Sequence, residues 1–555
     1  AGSNDRTLTM TSGTGNTISV AGNIGASQAL SGLTITQSDG TTFSGTVDVS
    51  DSSSGTITIT DTEDGSDVIF TGAVTTDTLD LGQAGYDLIF NGGGTFTNAV
   101  TFDNTGTLNL GNAAGDTFTF NGGVTEVTSG VVTLAATINS SNDVISFGAV
   151  TLGANTTIDT NATNTTGDIT IGAVTGGSNS LTLSTGDNVA NTDISASGAI
   201  SGVTTLTRSD VGGTATPSDD VDVTTLTVGN TVANVAFTGN GSSVANAVSF
   251  ANDGTLILGA SGGTQTYNGG LTTTSVGGTV TLNGTIATSD DAIVLGAVTL
   301  ASATTINTNS TTTNRADITI AAITGGSNTL TLTTENNVTG SNVTASGALT
   351  GLGNLTLADV GGPATFSDSV AAAAITADNT VANSIFTGST NTFSAASTLA
   401  NDGTLTFGNA TGDSFTFNGG LTTSSVAGTV TLNTSISSSN DAMVFGAITL
   451  GNNVTLYTNA SSTTGDLTLG VVTGGSNTLT LSTGDNVANS DITASGNISG
   501  VTTLTLSDVG GTATLSGDVD VTTFTVGNTV ANVAFTGNGS TVTNSFTPDN
   551  DGTFV

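Results

Sequence analysis

The sequence predicts an all-β fold, a right-handed parallel β-solenoid in which short strands wind into successive coils. Three observations lead to this fold: the chain repeats itself at two periods, its apolar residues alternate with threonine, and no segment shows a helical period. A repeat too short to enclose a core of its own must stack on its neighbours. Alternation places apolar side chains on one side of a strand and threonine on the other. Parallel crossovers strongly prefer the right hand.

The longer of the two periods is 149 residues. The string Asn-Asp-Gly-Thr-Leu at 252–256 returns at 401–405, and the same step separates Gly403 from Gly552. We expect the copies to form one continuous solenoid, because each coil gains its stability from the next. The divisions are 1–85 for a diverged partial copy, 86–233, 234–382 and 383–531 for three long copies, and 532–555 for the truncated start of a fourth.

The shorter period is about 25 residues. In the third copy, triplets of the form apolar-Thr-apolar start at Leu405, Val430, Val454, Leu479 and Leu504. This spacing predicts one coil per unit, six coils per long copy and about 22 coils in all, stacked about 4.8 Å apart. The apolar members of the triplets should form the core, and those of the first four are Leu405, Phe407, Val430, Leu432, Val454, Leu456, Leu479 and Leu481.

Two steps depart from the short period. The triplet that starts at Phe524 follows its predecessor after 20 residues, and Phe554 follows after 30. A shortened or enlarged turn changes the outline of a coil, so we expect the main surface features at these places. Gly, Asn, Asp and Ser fill the intervals between segments, as tight turns require.

Composition excludes several classes of function. The chain has no Cys, His or Trp, so it contains no disulfide, no thiolate nucleophile, no imidazole base and no Cys/His zinc site. Three Lys and Arg against 42 Asp and Glu leave a net charge of -39, which argues against a nucleic-acid partner. No run approaches the ~18 apolar residues of a membrane helix, so we predict no membrane span in this segment.

The two periods, the Thr alternation and the Gly/Asn/Asp/Ser turns resemble the parallel β-helix repeats of bacterial secreted proteins. The similar families are filamentous-haemagglutinin-like adhesins, autotransporter passengers and some surface-layer proteins. The resemblance covers nearly the whole chain, but no diagnostic motif accompanies it; the calcium-binding repeat Gly-Gly-x-Gly-x-Asp does not recur. It implies a secreted protein, located outside the cell or on its surface.

The leading functional hypothesis is an extracellular structural protein that forms a rod, fibre, sheath or surface layer and self-associates into a filament or lattice. The alternative is the shaft of an adhesin, whose partner would be a surface glycan or a host-cell ligand. Near-identical copies add length without adding chemistry, which favours the first hypothesis. The chain stops within a coil at Val555, so we expect either more chain or a stacked subunit beyond it.

A polysaccharide-degrading β-helix enzyme is the third hypothesis. A hydrolase needs two carboxylates across a cleft, and acids cluster at Asp219, Asp220 and Asp222, with Asp518 and Asp520 at the matching place in the third copy. Lyases usually also need a cation, yet each Arg stands alone in the sequence; Arg208 aligns with Leu357 and Leu506. We therefore predict that the chain is not an enzyme. Carbohydrate-binding surfaces generally need exposed aromatic rings. Tyr267 aligns with Phe120 and Phe417, which indicates a core position.

One series of acids suggests a metal. Aspartates recur at steps of about 25 residues, each just before a strand. If the coils are in register, neighbouring carboxylates stack about 5 Å apart and repel by roughly 1 kcal/mol in water. Either each accepts turn N–H bonds, or Ca²⁺ bridges successive coils. The candidate calcium ligands are Asp143, Asp168 and Asp193, Asp291 and Asp317 (with Asn342 as the third), and Asp441, Asp466 and Asp491.

Overall fold

The fold was obtained as a computed structural model, which describes residues 6–51, 54–164, 167–311, 314–461, 465–484 and 487–555. It confirms the all-β parallel solenoid: among the described residues 51% are strand and no α-helix occurs, and about 24 turns follow one another with a spacing of about 22 residues. Among the described residues, no helix long and apolar enough to cross a membrane is found. The chain divides into two compact units, Ala1–Val280 and Thr281–Val555.

Unit 1 is three-sided, and its faces are named here after one residue each. Successive strands of a face pair in parallel one turn apart along most of the unit, and Thr7–Thr11, Gly32–Gln37, Thr56–Ile59 and Thr78–Leu81 form a separate four-stranded parallel sheet. The Leu108 face contains Ile18–Val20, Thr41–Phe43, Asp67–Phe70, Asp87–Phe90, Leu108–Leu110, Val132–Leu134, Val150–Leu152, Val174–Thr175, Ser243–Val244 and Thr264–Tyr267. The Phe118 face contains Val47–Val49, Val74–Thr76, Gly94–Phe96, Thr117–Phe120, Thr137–Ser140, Thr156–Ala162, Leu181–Gly186, Val248–Ser249 and Leu271–Thr272. The Val124 face contains Thr7–Thr11, Gly32–Gln37, Thr56–Ile59, Thr78–Leu81, Val100–Phe102, Val124–Glu126, Ile145–Phe147, Ile169–Ile171, Ile194–Ala196, Thr214–Pro217, Asn234–Phe237 and Leu256–Leu258.

Unit 2 repeats this three-sided plan. The Leu405 face contains Val343–Ala345, Pro363–Phe366, Asn383–Phe386, Leu405–Phe407, Val430–Leu432, Ile448–Leu450 and Val472–Thr473. The Phe415 face contains Thr390–Phe393, Ser414–Phe417, Ser435–Ser438, Val454–Tyr457 and Thr478–Ser482. The Leu421 face contains Leu330–Thr333, Ser397–Leu399, Leu421–Thr422, Met443–Val444, Leu467–Leu469, Ile492–Ala494, Thr512–Leu515 and Asn532–Phe535.

Some strands are long enough to pass through a corner and serve two faces. In unit 1 these are Ile200–Ser209 and Val221–Val228, which run from the Leu108 face onto the Phe118 face. In unit 2 they are Ile293–Asn307, Ile318–Thr324, Leu349–Ala358, Val370–Ala377, Ile498–Ser507, Val519–Val526 and Thr541–Pro548. At such a corner the chain turns within a strand, without a protruding loop.

The predicted core is confirmed at every position. The eight apolar triplet members named above are all at most 2% exposed, whereas the threonines between them are half-exposed. Val454–Tyr457 shows the pattern, because Val454 and Leu456 point inward and Thr455 points out. The alternation thus decides which side of each strand is buried, and aligned apolar columns fill the interior.

The predicted coil length was wrong. Val430 pairs with Ile448, 18 residues later, and the predicted neighbour Val454 lies on the Phe415 face, where it pairs with Leu479. The triplet series therefore drifts from one face to the next. The spacing is about 22 residues instead of 25, and the turns number about 24 instead of 22.

The long repeat does not contain a whole number of turns. From Leu405 the column on the Leu405 face runs through six turns to the strand Thr541–Pro548, and the equivalent residue of the next copy, Phe554, lies two faces further on. In unit 1, Leu108 and its equivalent Leu256 likewise lie on the Leu108 and Val124 faces. Within unit 1 the second copy thus begins on a different face from the first, and within unit 2 the fourth begins on a different face from the third.

Candidate functional site

The predicted calcium ladder lies at one corner of each copy, and the register aligns only two of its three members. Asp466 and Asp491 directly precede the paired residues Leu467 and Ile492, so they are level with each other. Asp441 precedes Met443 by two residues, and its neighbour Ala442 is level with Asp466 instead. The same offset separates Asp143 from the level pair Asp168 and Asp193, and Asp291 from Asp317.

The level carboxylates accept backbone hydrogen bonds from the next turn. The Asp491 N–H donates to Asp466 Oδ1 at 2.9 Å, and the Thr512 N–H donates to Asp491 Oδ1 at 2.6 Å. Asp168 and Asp193 make the same two bonds, and Asp317 accepts the N–H of Asn342 at 2.7 Å. One oxygen of each carboxylate therefore stabilises a turn, as the alternative without metal requires.

Among the described residues, no group of three or more Asp or Glu side chains lies close enough together to hold a metal ion. Bridging of successive coils by calcium through Asp143, Asp168, Asp193, Asp291, Asp317, Asp441, Asp466 and Asp491 stays a prediction.

The same bond recurs at other corners and explains why Asn and Asp are so abundant. A side-chain Oδ1 accepts the N–H of a threonine 20 or 21 residues later, at 2.6 to 3.0 Å. The acceptors occupy equivalent positions in four copies: Asp87, Asn234, Asn383 and Asn532. Since Asp and Asn serve equally, the corner requires a side-chain oxygen and does not require its charge.

A recessed corner forms a groove in the third copy, near the predicted 20-residue step. The groove has a volume of about 410 Å³, and its lining is Ser476, Gly500, Val501, Thr502, Asp520, Val521, Thr522, Thr541 and Thr543. It lies where Ile498–Ser507 and Val519–Val526 pass from the Leu405 face to the Phe415 face without a loop. The expectation that a shortened turn makes a surface feature is confirmed here.

A β-bulge shapes this groove. The register slips by one residue between Ser499 and Val501, so Gly500 has no partner on the next turn. Gly500 has φ = 68°, a left-handed conformation that costs glycine little. A bulge increases local bending, and the turn at Gly474–Asn477 forms one wall. Asn477 fixes that wall, because its Nδ2 donates to Leu450 O at 2.9 Å.

The first copy contains the equivalent groove, with a volume of about 320 Å³. Its carboxylate is Asp222, at the position of Asp520. Partial burial raises the pKa of Asp222 above its ordinary 3.8, and the negative charge of Asp220 raises it further. In the second copy the strand Val370–Ala377 has alanine at 371, 372 and 373 in place of Asp-Val-Thr. The second copy therefore lacks the carboxylate and one hydroxyl.

The acids singled out for a hydrolase serve largely as turn acceptors. Asp220 Oδ1 accepts the Gly241 N–H at 2.6 Å, and Asp518 Oδ1 accepts the Gly539 N–H at 2.7 Å. Asp520 is the one carboxylate in the lining of the third-copy groove. A pair of carboxylates facing each other across a cleft, as hydrolysis needs, is not part of that lining.

Arg208 is buried in the core of unit 1. It is 0% exposed, it points inward between Leu183 and Val228, and its Nε, Nη1 and Nη2 atoms have no hydrogen-bond partner among the residues that the structure describes. Its guanidinium lies 5.5 Å from the centre of the Phe237 ring. Burial lowers the pKa of Arg208 to about 10. The alignment with Leu357 and Leu506 signals this core position in the sequence.

Comparison with known proteins finds no matching protein family, no similar curated protein and no similar solved structure. The fold is consistent with β-helix repeat proteins as an architecture. Membership in one of the secreted families remains an expectation.

Proposed function

We propose that this chain is an extracellular structural repeat protein that forms a fibre, sheath or surface layer by self-association. The observation that carries the proposal is the near-identity of copies that each span six and two-thirds turns. Such copies present the same surface again and again, and a lattice needs repeated contacts of this kind. Net charge of -39 with three basic residues suits a soluble surface outside the cell.

Non-catalytic function is part of the same proposal. The chain has no His or Cys, and the acids of the corners accept backbone hydrogen bonds. The groove of the third copy has one carboxylate among hydroxyls and two valines. These features stabilise turns and shape a surface, and none supplies a general acid and base pair.

The test is assembly of the purified chain, followed by electron microscopy and light scattering with increasing salt. Salt should promote assembly, because it screens repulsion between acidic chains. Ordered side-by-side arrays would support the proposal. Particles that stay isolated at high concentration and high salt would contradict it.

The adhesin shaft is the second candidate, and the recessed corners favour it. Grooves with an aspartate at the equivalent position, Asp222 or Asp520, occur in the first and third copies. An adhesin with several binding sites would have such repeated grooves. Binding of the isolated chain to cells or to a glycan array, lost on changing Asp222 and Asp520 to Ala together, would support this candidate over the first.

A further inference from the structure

The Phe415 face next to the third-copy groove presents two straight ranks of hydroxyls. The first rank is Thr478, Thr503, Thr523 and Ser545, each paired in register with the next. The second rank, two residues further along each strand, is Thr455, Thr480, Thr505, Thr525 and Thr547. Every strand that contributes a residue to both ranks therefore carries the pattern Thr-x-Thr or Ser-x-Thr.

The ranks form a two-dimensional lattice. Neighbouring turns of a sheet are about 4.8 Å apart, and residues two apart along a strand are about 6.6 Å apart. Phe524 and Phe546 lie directly beneath the ranks, and their rings stack at 5.4 Å with only 3° between the ring planes. The inward side chains of these two successive turns thus stack in register, as the hydroxyls above them do.

The lattice is uncharged, although the chain has 42 Asp and Glu. No member of either rank is acidic or basic, and the inward neighbours Leu504, Leu506 and Phe524 are fully buried. Apart from Ser545, the ranks are thus made of the methyl and hydroxyl groups of threonines, which are β-branched and have few rotamers. Such a surface is poorly suited to an ionic partner and well suited to a neutral, periodic one.

The first copy repeats the pattern in unit 1. One rank there is Thr157, Thr182, Thr207 and Thr227, and Thr205 pairs with Thr225 beside it. The second copy keeps the rank Thr305, Thr331, Thr356 and Thr376 but has Asn354 paired with Ala374 beside it. The double rank therefore belongs to the same two copies that have the acidic groove.

We propose that the double ranks of the first and third copies bind the surface of crystalline water, that is, ice. Ice presents oxygen atoms in flat rows with spacings of the same order as the two spacings of the ranks. A threonine hydroxyl can donate to and accept from water, and ordered waters bound in register on the ranks would continue into the crystal. A crystalline polysaccharide is the competing periodic surface; its sugar rings favour aromatic platforms, and none of the rank members is aromatic.

The experiment measures incorporation of the purified chain into a slowly growing ice crystal, together with the growth rate of single crystals just below the melting point. The native chain should concentrate in the ice and should stop or facet crystal growth. Changing Thr505 to Lys places a long charged side chain in the middle of the second rank and should abolish most of both effects. Thr480→Lys is a second disruption of the same rank.

The matched control is Thr449→Lys, an equally half-exposed threonine on the Leu405 face that should leave both effects unchanged. Circular dichroism establishes that each variant is folded. Exclusion of the native chain from ice, as for an ordinary solute, overturns the proposal. Equal loss in Thr449→Lys and Thr505→Lys overturns the assignment to this face. Binding to crystalline cellulose or chitin with exclusion from ice shows that the occupant is a polysaccharide and also overturns it.

Discussion

The first and third copies share a groove and a double threonine rank, but one core position is charged in the first copy and apolar in the third. In the third copy Leu506 is fully buried between Leu481 and Val526. In the first copy the same position is Arg208, fully buried between Leu183 and Val228, and its guanidinium has no hydrogen-bond partner in the described part of the chain. A buried charge without a hydrogen-bond partner costs several kcal/mol, of which the Phe237 ring 5.5 Å away offsets a part. The comparison shows that a solenoid tolerates a large local cost, because the turns on either side hold the strand in register.

The largest effect is expected from placing an arginine at the matching core position of the third copy. Leu506→Arg should lower the free energy of unfolding by about 3 to 5 kcal/mol, since it buries an unpaired cation in a close-packed column. Chemical denaturation followed by circular dichroism measures the change. Leu506→Met, which keeps an apolar side chain of similar volume, is the control and should cost less than about 1.5 kcal/mol. Equal stability of the Arg and Met variants would contradict the buried geometry.

The reverse substitution is expected to change the stability in the opposite direction. Arg208→Leu should raise the stability of unit 1 by about 3 kcal/mol, because the guanidinium regains water only when the chain unfolds. Hydrogen exchange at Leu206 and Leu226 reports on this part of the chain. Unchanged or faster exchange at these amides would show that Arg208 has a partner that offsets its burial.

A smaller effect is expected at the corner that both copies share. Asp466→Ala removes the acceptor of the Asp491 N–H and should cost about 1 to 2 kcal/mol. Asp466→Asn keeps the oxygen, so it should cost much less. Asp168→Ala and Asp168→Asn provide the same pair in the first copy. The same four variants test the calcium prediction: if the ion bridges coils, the unfolding temperature of the native chain rises with calcium, and that of the Asn variants rises less.

The smallest effect concerns the groove carboxylate of the first copy. Burial and then the charge of Asp220 raise the pKa of Asp222 in the folded chain above its ordinary 3.8. A group whose folded pKa is raised favours folding below its unfolded pKa, and it loses that contribution as the pH rises through the folded pKa. Relative to Asp222→Asn, the native chain should therefore become less stable as the pH rises from below 3.8. A difference that is constant over this range would contradict the raised pKa.

The sequence sufficed for the fold and for the direction of each core side chain, because alternation and repetition act on every strand. It overestimated the coil length, because triplets such as Val430 and Val454 look alike although they lie on different faces. A triplet shows which side is buried, but not which face of the triangle it occupies. That depends on how many residues each corner takes, and here successive turns range from 18 residues between Val430 and Ile448 to 27 between Thr41 and Val68.

The candidate site was only partly predictable for the same reason. The spacing of the aspartates revealed a recurring corner. Asp441 is nevertheless not level with Asp466, because its strand begins two residues after it, whereas the strand of Asp466 begins at the next residue. The 20-residue step before Phe524 did locate the recessed corner. The double rank of threonines needed the register, since only the pairing of Thr503 with Thr523 and of Thr505 with Thr525 shows that the hydroxyls align.

The fractional number of turns in a copy links the length of such a protein to the direction in which its surfaces face. Inserting one copy into a continuous solenoid lengthens it and also rotates everything beyond the insertion by a third of a revolution. Only a gain or loss of three copies restores the original direction. Recombination between near-identical copies therefore redirects the distal surface as well as moving it, and chains that differ by one copy would offer a neighbouring molecule different sides.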